Sequence, residues 1–145
     1  MATHYAKQQT GVADGTVIPP NKADGREVNA KRRSILASKV TGTAWASGDK
    51  VFLGKKPAGY KVTAIKLCTG TSLGTSTVSI GTADTADKYV ATKTLTATDV
   101  PTMLGPKAST LDDTPGDEED LYATVGTASI AAGTELTFDI ECTGL

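Results

Sequence analysis

The sequence predicts an all-β fold: a single β-sandwich or jelly-roll-like domain of about eight strands, preceded by an extended N-terminal arm. Three observations lead there. Among 145 residues there are 24 threonines and 15 glycines; β-branched threonine suits a half-buried pleated surface, and glycine punctuates turns. No helical stripe of Leu, Ala, Glu and Lys at a 3.6-residue period is sustained anywhere. From Gly48 onward, short runs of alternating apolar residues recur between Gly- and Pro-containing turns, at the regular spacing of a sandwich. A chain of this length suits one domain, which typically removes roughly two-thirds of its unfolded surface from water. Aromatic residues make up only 5% of the chain, so the core rests on Val, Ile, Leu and Ala.

Residues 1–25 read as the arm. Gly11, Gly15, Gly25 and Pro19-Pro20 leave Val12, Val17 and Ile18 as its apolar anchors. Such a segment cannot offset the entropy of ordering its own backbone, so it is ordered only where its domain or a neighbouring chain holds it. Residues 26–145 form the sandwich. It opens with Arg26, Lys31, Arg32 and Arg33 ahead of Ser34–Val40, read as a solvated or partner-facing strand edge. Trp45, the single tryptophan, stands in a Gly/Ser/Thr-rich loop, placed either on the core rim or at an interface.

Lys50–Leu53 is expected as a short strand with Gly54–Gly59 as its turn. In Tyr60–Cys68, Tyr60, Val62 and Ala64 share one face before the phase slips at Ile65, which signals a bulge or a crossing between sheets. Thr75–Ile80 follows with Val78 and Ile80 inward, then a turn over Gly81–Ala86 and a strand beginning at Asp87. Pro101 and Pro106 exclude a long central strand from Thr92–Thr110, read as a connection holding one short strand. Leu121–Val125 and Glu135–Cys142 alternate most cleanly, the second placing Leu136, Phe138, Ile140 and Cys142 inward.

The net charge of −1 conceals a division between halves. Residues 1–66 hold twelve Lys/Arg against four Asp/Glu, a balance of +8, and residues 67–145 hold three against twelve, a balance of −9. Asymmetry of this kind points to a charged segment meeting a charged partner. The basic cluster lacks the interleaved aromatics of a nucleic-acid surface, so nucleic acid is not an expected partner. Six acids fall within residues 112–120, namely Asp112, Asp113, Asp117, Glu118, Glu119 and Asp120. Their spacing does not match an EF-hand, and they read as an exposed acidic turn available for contact rather than a calcium site.

Catalytic patterns are missing. His4, the only histidine, lies in the arm, where it is poorly placed for a nucleophile–base relay. Glycine-rich phosphate cradles are absent. Cys68 and Cys142 have no CxxC spacing and read as two buried thiols in preference to a disulfide, with no zinc or redox motif. No metal or cofactor is expected, nor an enzyme. No stretch approaches the ~20 apolar residues of a membrane span, and Met1–Lys7 lacks an apolar signal region, which points to synthesis in a cytoplasm.

One resemblance rests on Gly48-Asp49-Lys50-Val51-Phe52-Leu53-Gly54, Pro57-Ala58-Gly59-Tyr60, Val62–Leu67, Val78-Ser79-Ile80-Gly81-Thr82-Ala83-Asp84, Asp87-Lys88-Tyr89 and Ala131–Thr137. Across residues 26–145 this order of strands and turns resembles small structural proteins from the head gene clusters of tailed bacteriophages. The resemblance implies a capsid decoration, or cement, protein: a sandwich on the outer surface of the virion, often trimeric. Its partners would be the major capsid protein and other copies of itself, with an extended arm crossing neighbouring coat subunits. Contact residues on that reading are Val12, Val17, Ile18, Arg26, Lys31, Arg32, Arg33 and Trp45. Two alternatives stand beside it. One is a tail or head–tail connector protein. The other is a carbohydrate-binding module, for which Trp45, Tyr60, Tyr89 and Tyr122 are scattered candidates beside Tyr5.

Overall fold

A computed structural model describes residues 16–18, 20, 31–39 and 41–144. Of the expected arm, only Thr16, Val17, Ile18 and Pro20 fall within that set. Eight strands form: β1 (Lys31–Ser38), β2 (Lys50–Lys56), β3 (Tyr60–Thr69), β4 (Thr77–Gly81), β5 (Val90–Lys93), β6 (Thr102–Gly105), β7 (Glu119–Gly126) and β8 (Leu136–Gly144). They make two four-stranded antiparallel sheets, ordered β1-β8-β3-β6 and β2-β7-β4-β5. The pairing is nested. β1 pairs with β8, β2 with β7, β3 with β6 and β4 with β5, so the outermost pair joins the two ends of the sandwich sequence.

Strand β8 explains the first sheet. Its period-2 pattern puts Leu136, Phe138, Ile140 and Cys142 at no more than 2% exposure, while Thr137, Asp139 and Glu141 on the other face remain partly exposed. β7 does the same for the second sheet, burying Leu121, Ala123 and Val125. Between these faces sit Val62, Ile65 and Leu67 from β3, with Val78 and Ile80 from β4. The slip expected within β3 is a bulge between Val62 and Ala64. The extra residue, Thr63, returns Ile65 and Leu67 to the face already occupied by Tyr60 and Val62.

Three expectations are corrected. Gly54 does not turn the chain: β2 continues to Lys56, and the register shifts between Phe52 and Gly54. Gly54 sits at φ +145°, and a Cβ there would lie 2.7 Å from Ile35 Cγ2 of β1. Glycine is needed for a bulge and a close approach to the neighbouring sheet, not for a reversal. The strand expected from Asp87 begins at Val90, because residues 82–89 form a loop folded back on Gly81. The connection after β5 carries β6 and, in addition, a single helical turn, α1 (Ala108–Leu111). Four residues are too few to show a helical period in the sequence.

Two substitutions test this packing by urea unfolding. Phe138→Ala removes a fully buried ring at the centre of the core and should cost about 3–5 kcal/mol. Gly81→Ala would bring a Cβ to 2.0 Å from the Thr85 carbonyl oxygen and 2.7 Å from the Lys88 nitrogen. Both atoms are backbone and cannot swing away, so a loss of about 3 kcal/mol or more is expected. Wild-type stability of Gly81→Ala would mean that loop 82–89 does not pack as described.

Candidate functional site

Antiparallel register brings the two charged regions of the sequence to one end of the sandwich. Lys31 on β1 pairs with Gly144 on β8, which pairs with Tyr60 on β3. Tyr60 in turn bridges to Gly116 in the acidic turn. Lys55 and Lys56 at the end of β2 pair with Asp120 and Glu119 at the start of β7. The opposite end consists of loops 41–49, 70–76, 94–101 and 127–135, whose only charged residues are Asp49, Asp99 and Glu135. Segments of opposite charge, separate in the sequence, therefore share one end of the domain.

The six acids of 112–120 do not act as one loop. Glu118 and Asp120 flank Lys55, at 3.0 and 3.5 Å. Glu119, on the opposite side of the strand, points inward with Leu121. There it meets Lys88 Nζ at 2.5 Å and accepts a hydrogen bond from the Tyr89 hydroxyl. Asp117 contributes its backbone: its carbonyl accepts from Lys56 Nζ at 2.5 Å, and the Tyr60 carbonyl accepts from the same ammonium at 3.1 Å. Lys56 is 3% exposed and locks the β2–β3 turn to the start of β7. Asp113 lines a cavity of about 220 Å³ at this end, with Lys56, Tyr60, Lys88, Tyr89 and Glu119. Asp112 follows α1 and is exposed. Among the described residues, no three His, Cys, Asp or Glu side chains gather into a group able to hold a metal ion.

Electrostatics at this end follow from the pairing. Burial pushes the Glu119 carboxyl up, but the Lys88 and Tyr89 hydrogen bonds outweigh it and leave Glu119 below the ordinary carboxylate range. Burial, then the Glu119 carboxylate, push the Tyr89 hydroxyl well above its ordinary value. The hydrogen bond from Lys107, at 2.9 Å, likewise holds Asp87 low. Cys142 is raised to about 11 by burial. Both cysteines are free, and Cys68 is only partly buried, on the outer face where the expectation had it inside.

The expected contact residues separate into groups. Lys31, Arg32 and Arg33 are exposed on β1, an edge strand whose second side carries no partner strand among the described residues. Alternation sends Arg33 toward the sandwich, where its guanidinium lies 5.2 Å from the centre of the Tyr60 ring. Arg32 faces outward, 3.5 Å from Glu141. Glu141 also binds Lys66 at 2.6 Å, so basic side chains flank a central acidic strand on this face. Leu36, which the sequence reading passed over, stands on the same face at 71% exposure. Its outward phase was readable from Arg32 and Ser34, four and two residues before it. Ile18 is 90% exposed and Val17 38%, whereas Val12 and Arg26 lie outside the described residues. Trp45 is on the core rim: it exchanges backbone hydrogen bonds with Ile130 and packs under the Lys39 ammonium, 5.6 Å from the ring centre.

Solved structures share this architecture. A chain of the cyanophage Pam1 capsid asymmetric unit superposes with a TM-score of 0.62 at 13% identity, covering 92% of this chain and 100% of that one. A chain of the Ralstonia phage GP4 capsid gives 0.61 at 14% identity, covering 80% and 84%. A chain of the acid-stable capsid of the Helicobacter pylori bacteriophage KHP30 gives 0.52 at 20% identity, covering 79% and 92%. The likeness is one of fold. No protein-family model matches the sequence, and no curated protein matches it.

The Lys88–Glu119–Tyr89 contact makes a pH-dependent prediction. A carboxylate depressed by folding stabilises the native state above its unfolded pKa of about 4.3, and that contribution is lost as pH falls through the folded value. Melting curves from neutral pH down to acid should therefore show Glu119→Gln less stable than wild type at neutral pH. The two should converge in acid. Curves offset by a constant amount would mean that ionisation of Glu119 does not stabilise the fold, and coincident curves that the contact contributes nothing.

Proposed function

We propose that this protein is a capsid decoration protein of a tailed bacteriophage, which binds the outer surface of the head and cements neighbouring subunits of the major capsid protein. The observation that carries the reading is the superposition of 92% of this chain on 100% of a phage capsid chain. A sandwich of this size can thus be a complete virion component. The nested strand pairing reads as a jelly roll, a double sheet. A head under internal pressure is reinforced by many modest contacts spread over several subunits, and an exposed sheet with open edges suits that better than a deep cleft does.

On this reading the protein assembles as a homotrimer, and residues 1–25 reach across to neighbouring coat subunits. Among the described residues β1 has an unpaired edge, to which an extended segment can add as a further strand, with backbone hydrogen bonds supplying affinity and alternate side chains supplying register. Lys31, Arg32 and Arg33 bias that edge toward an acidic partner. The role is structural, not catalytic: the only histidine lies in the arm, and Glu119 is held ionised, the opposite of what a general acid requires.

Quantitative mass spectrometry of purified virions tests the assignment. Symmetric coverage of a head requires on the order of hundreds of copies, a simple fraction of the coat-protein count. A count of about a dozen or fewer would move the protein to the tail or connector, where closed rings set the number. Absence from particles would end the viral reading. Deleting residues 1–25 should leave the melting temperature of the sandwich unchanged and weaken binding to heads lacking the protein. Full binding by the truncated chain would remove the arm from the interface. Raising the salt to about 1 M, which shortens the Debye length to about 3 Å, should weaken binding of the intact protein if β1 docks through its charges.

A further inference from the structure

The outer face of the β2-β7-β4-β5 sheet carries an aromatic pair that the charged end and the β1 edge leave unexplained. Phe52 on β2 and Tyr122 on β7 are register partners. Their rings meet edge to face, with centroids 5.6 Å apart and planes at 62°. Phe52 is 52% exposed although it is a large apolar residue, and Tyr122 is half-buried beside it. Opposite Tyr122 on β4 is Gly81, over which loop 82–89 folds back, so the rings are bordered on that side by the loop backbone. Of the four aromatics first considered for sugar binding, Tyr60 and Tyr89 are buried at 7% and 5% exposure, and Trp45 is engaged on the core rim. The pair that stands together on a surface is therefore Tyr122 with Phe52, which the scattered spacing in the sequence did not reveal.

Polar groups frame the rings on both sides along the strands. In one direction Lys50, two residues before Phe52, donates from Nζ to the Ala83 carbonyl at 2.8 Å and so holds loop 82–85 over the edge of the face. In the other direction Lys55 sits between Glu118 and Asp120. Between loop and ion pairs runs an open groove of about 660 Å³, lined by Lys55, Thr82, Asp84, Thr85, Glu118 and Asp120 among others. Asp120 and Tyr122 are two residues apart on one face of β7, about 6.7 Å along the strand, so groove and rings are contiguous.

We propose that this face binds a neutral carbohydrate, with one pyranose ring packed on Phe52, the more exposed ring, beside Tyr122, and its hydroxyls reaching the carboxylates and ammonium groups of the adjoining groove. The chemistry selects the ligand. A sugar offers an apolar C–H face to an aromatic ring and hydroxyls that both donate and accept. The groove supplies both kinds of partner, already held in place by ion pairs, which lowers the ordering cost of binding. Four carboxylates against two ammonium groups line it, which disfavours an anionic ligand. A protein partner would want a broader apolar core, yet the other exposed large apolar side chains among the described residues, Val17, Ile18, Leu36, Val100, Met103 and Leu111, belong to none of the four strands of this sheet. The inference is independent of the capsid reading, since it concerns the isolated chain.

Titration of the full chain, followed by amide and aromatic-ring NMR signals, tests it. The probes are maltohexaose, cellohexaose and chitohexaose, each taken to about 10 mM, which suffices for dissociation constants on the order of 1 mM. At least one should shift Phe52, Tyr122, Lys55, Asp120 and residues 82–85. Phe52→Leu keeps an apolar residue at this exposed position without a ring face and should weaken binding about tenfold. Phe52→Trp should retain it, and Leu36→Ser on the other sheet should leave it unchanged. No shift with any of the three sugars, shifts confined to another surface, or full binding by folded Phe52→Leu would each overturn the proposal.

Discussion

Strand β8 is hydrogen-bonded along both sides and buried along one face, and this double commitment governs the molecule. A strand flanked by β1 and β3 cannot slip by one residue without turning Phe138 and Ile140 to solvent and Asp139 and Glu141 into the core. Its register is therefore fixed, and with it the register of both neighbours. Thr63 is bulged out of β3 because the neighbour cannot adjust. The strand that must not move sets the phase, and the strand beside it absorbs the mismatch.

From that register the distribution of charge follows. The start of β1, the start of β3 and the end of β8 converge at one end of the sandwich, and the acidic turn joins them through Tyr60 and Gly116. Basic and acidic segments far apart in sequence become neighbours, and the far end is left to nearly uncharged Thr-, Ser-, Ala- and Gly-rich loops. Interior charge at this end is managed by pairing. Lys56 is capped by backbone carbonyls, and Glu119 by an ammonium and a hydroxyl, so neither presents an unpaired charge to the core.

The two sheets offer different outer faces. One is a charge lattice in which Lys66 and Arg32 flank the acids of β8, with Leu36 and Met103 exposed to either side. The other carries a ring pair beside a polar groove. On the proposed reading, one surface would turn to the shell and another to the medium, and two chemically distinct faces suit that division. The β1 edge and the arm would then meet the coat, and the aromatic face would be left for the carbohydrate proposed above.

The sequence by itself determined what short-range periodicity can determine. Alternation in Leu121–Val125 and Glu135–Cys142 set which side chains enter the core, and the phase slip in Tyr60–Cys68 announced the bulge in β3. Fold class and strand number follow from those patterns, because each depends on residues within a few positions of one another. Tertiary structure decided the rest. Gly54 as a bulge under Ile35, Gly81 as a floor for loop 82–89, the separation of Glu119 from Glu118 and Asp120, and the pairing of Phe52 with Tyr122 all arise between residues remote in the chain. A glycine that spares a distant side chain looks, in sequence, the same as a glycine that turns the backbone. Two aromatics seventy positions apart look scattered until antiparallel register sets them side by side.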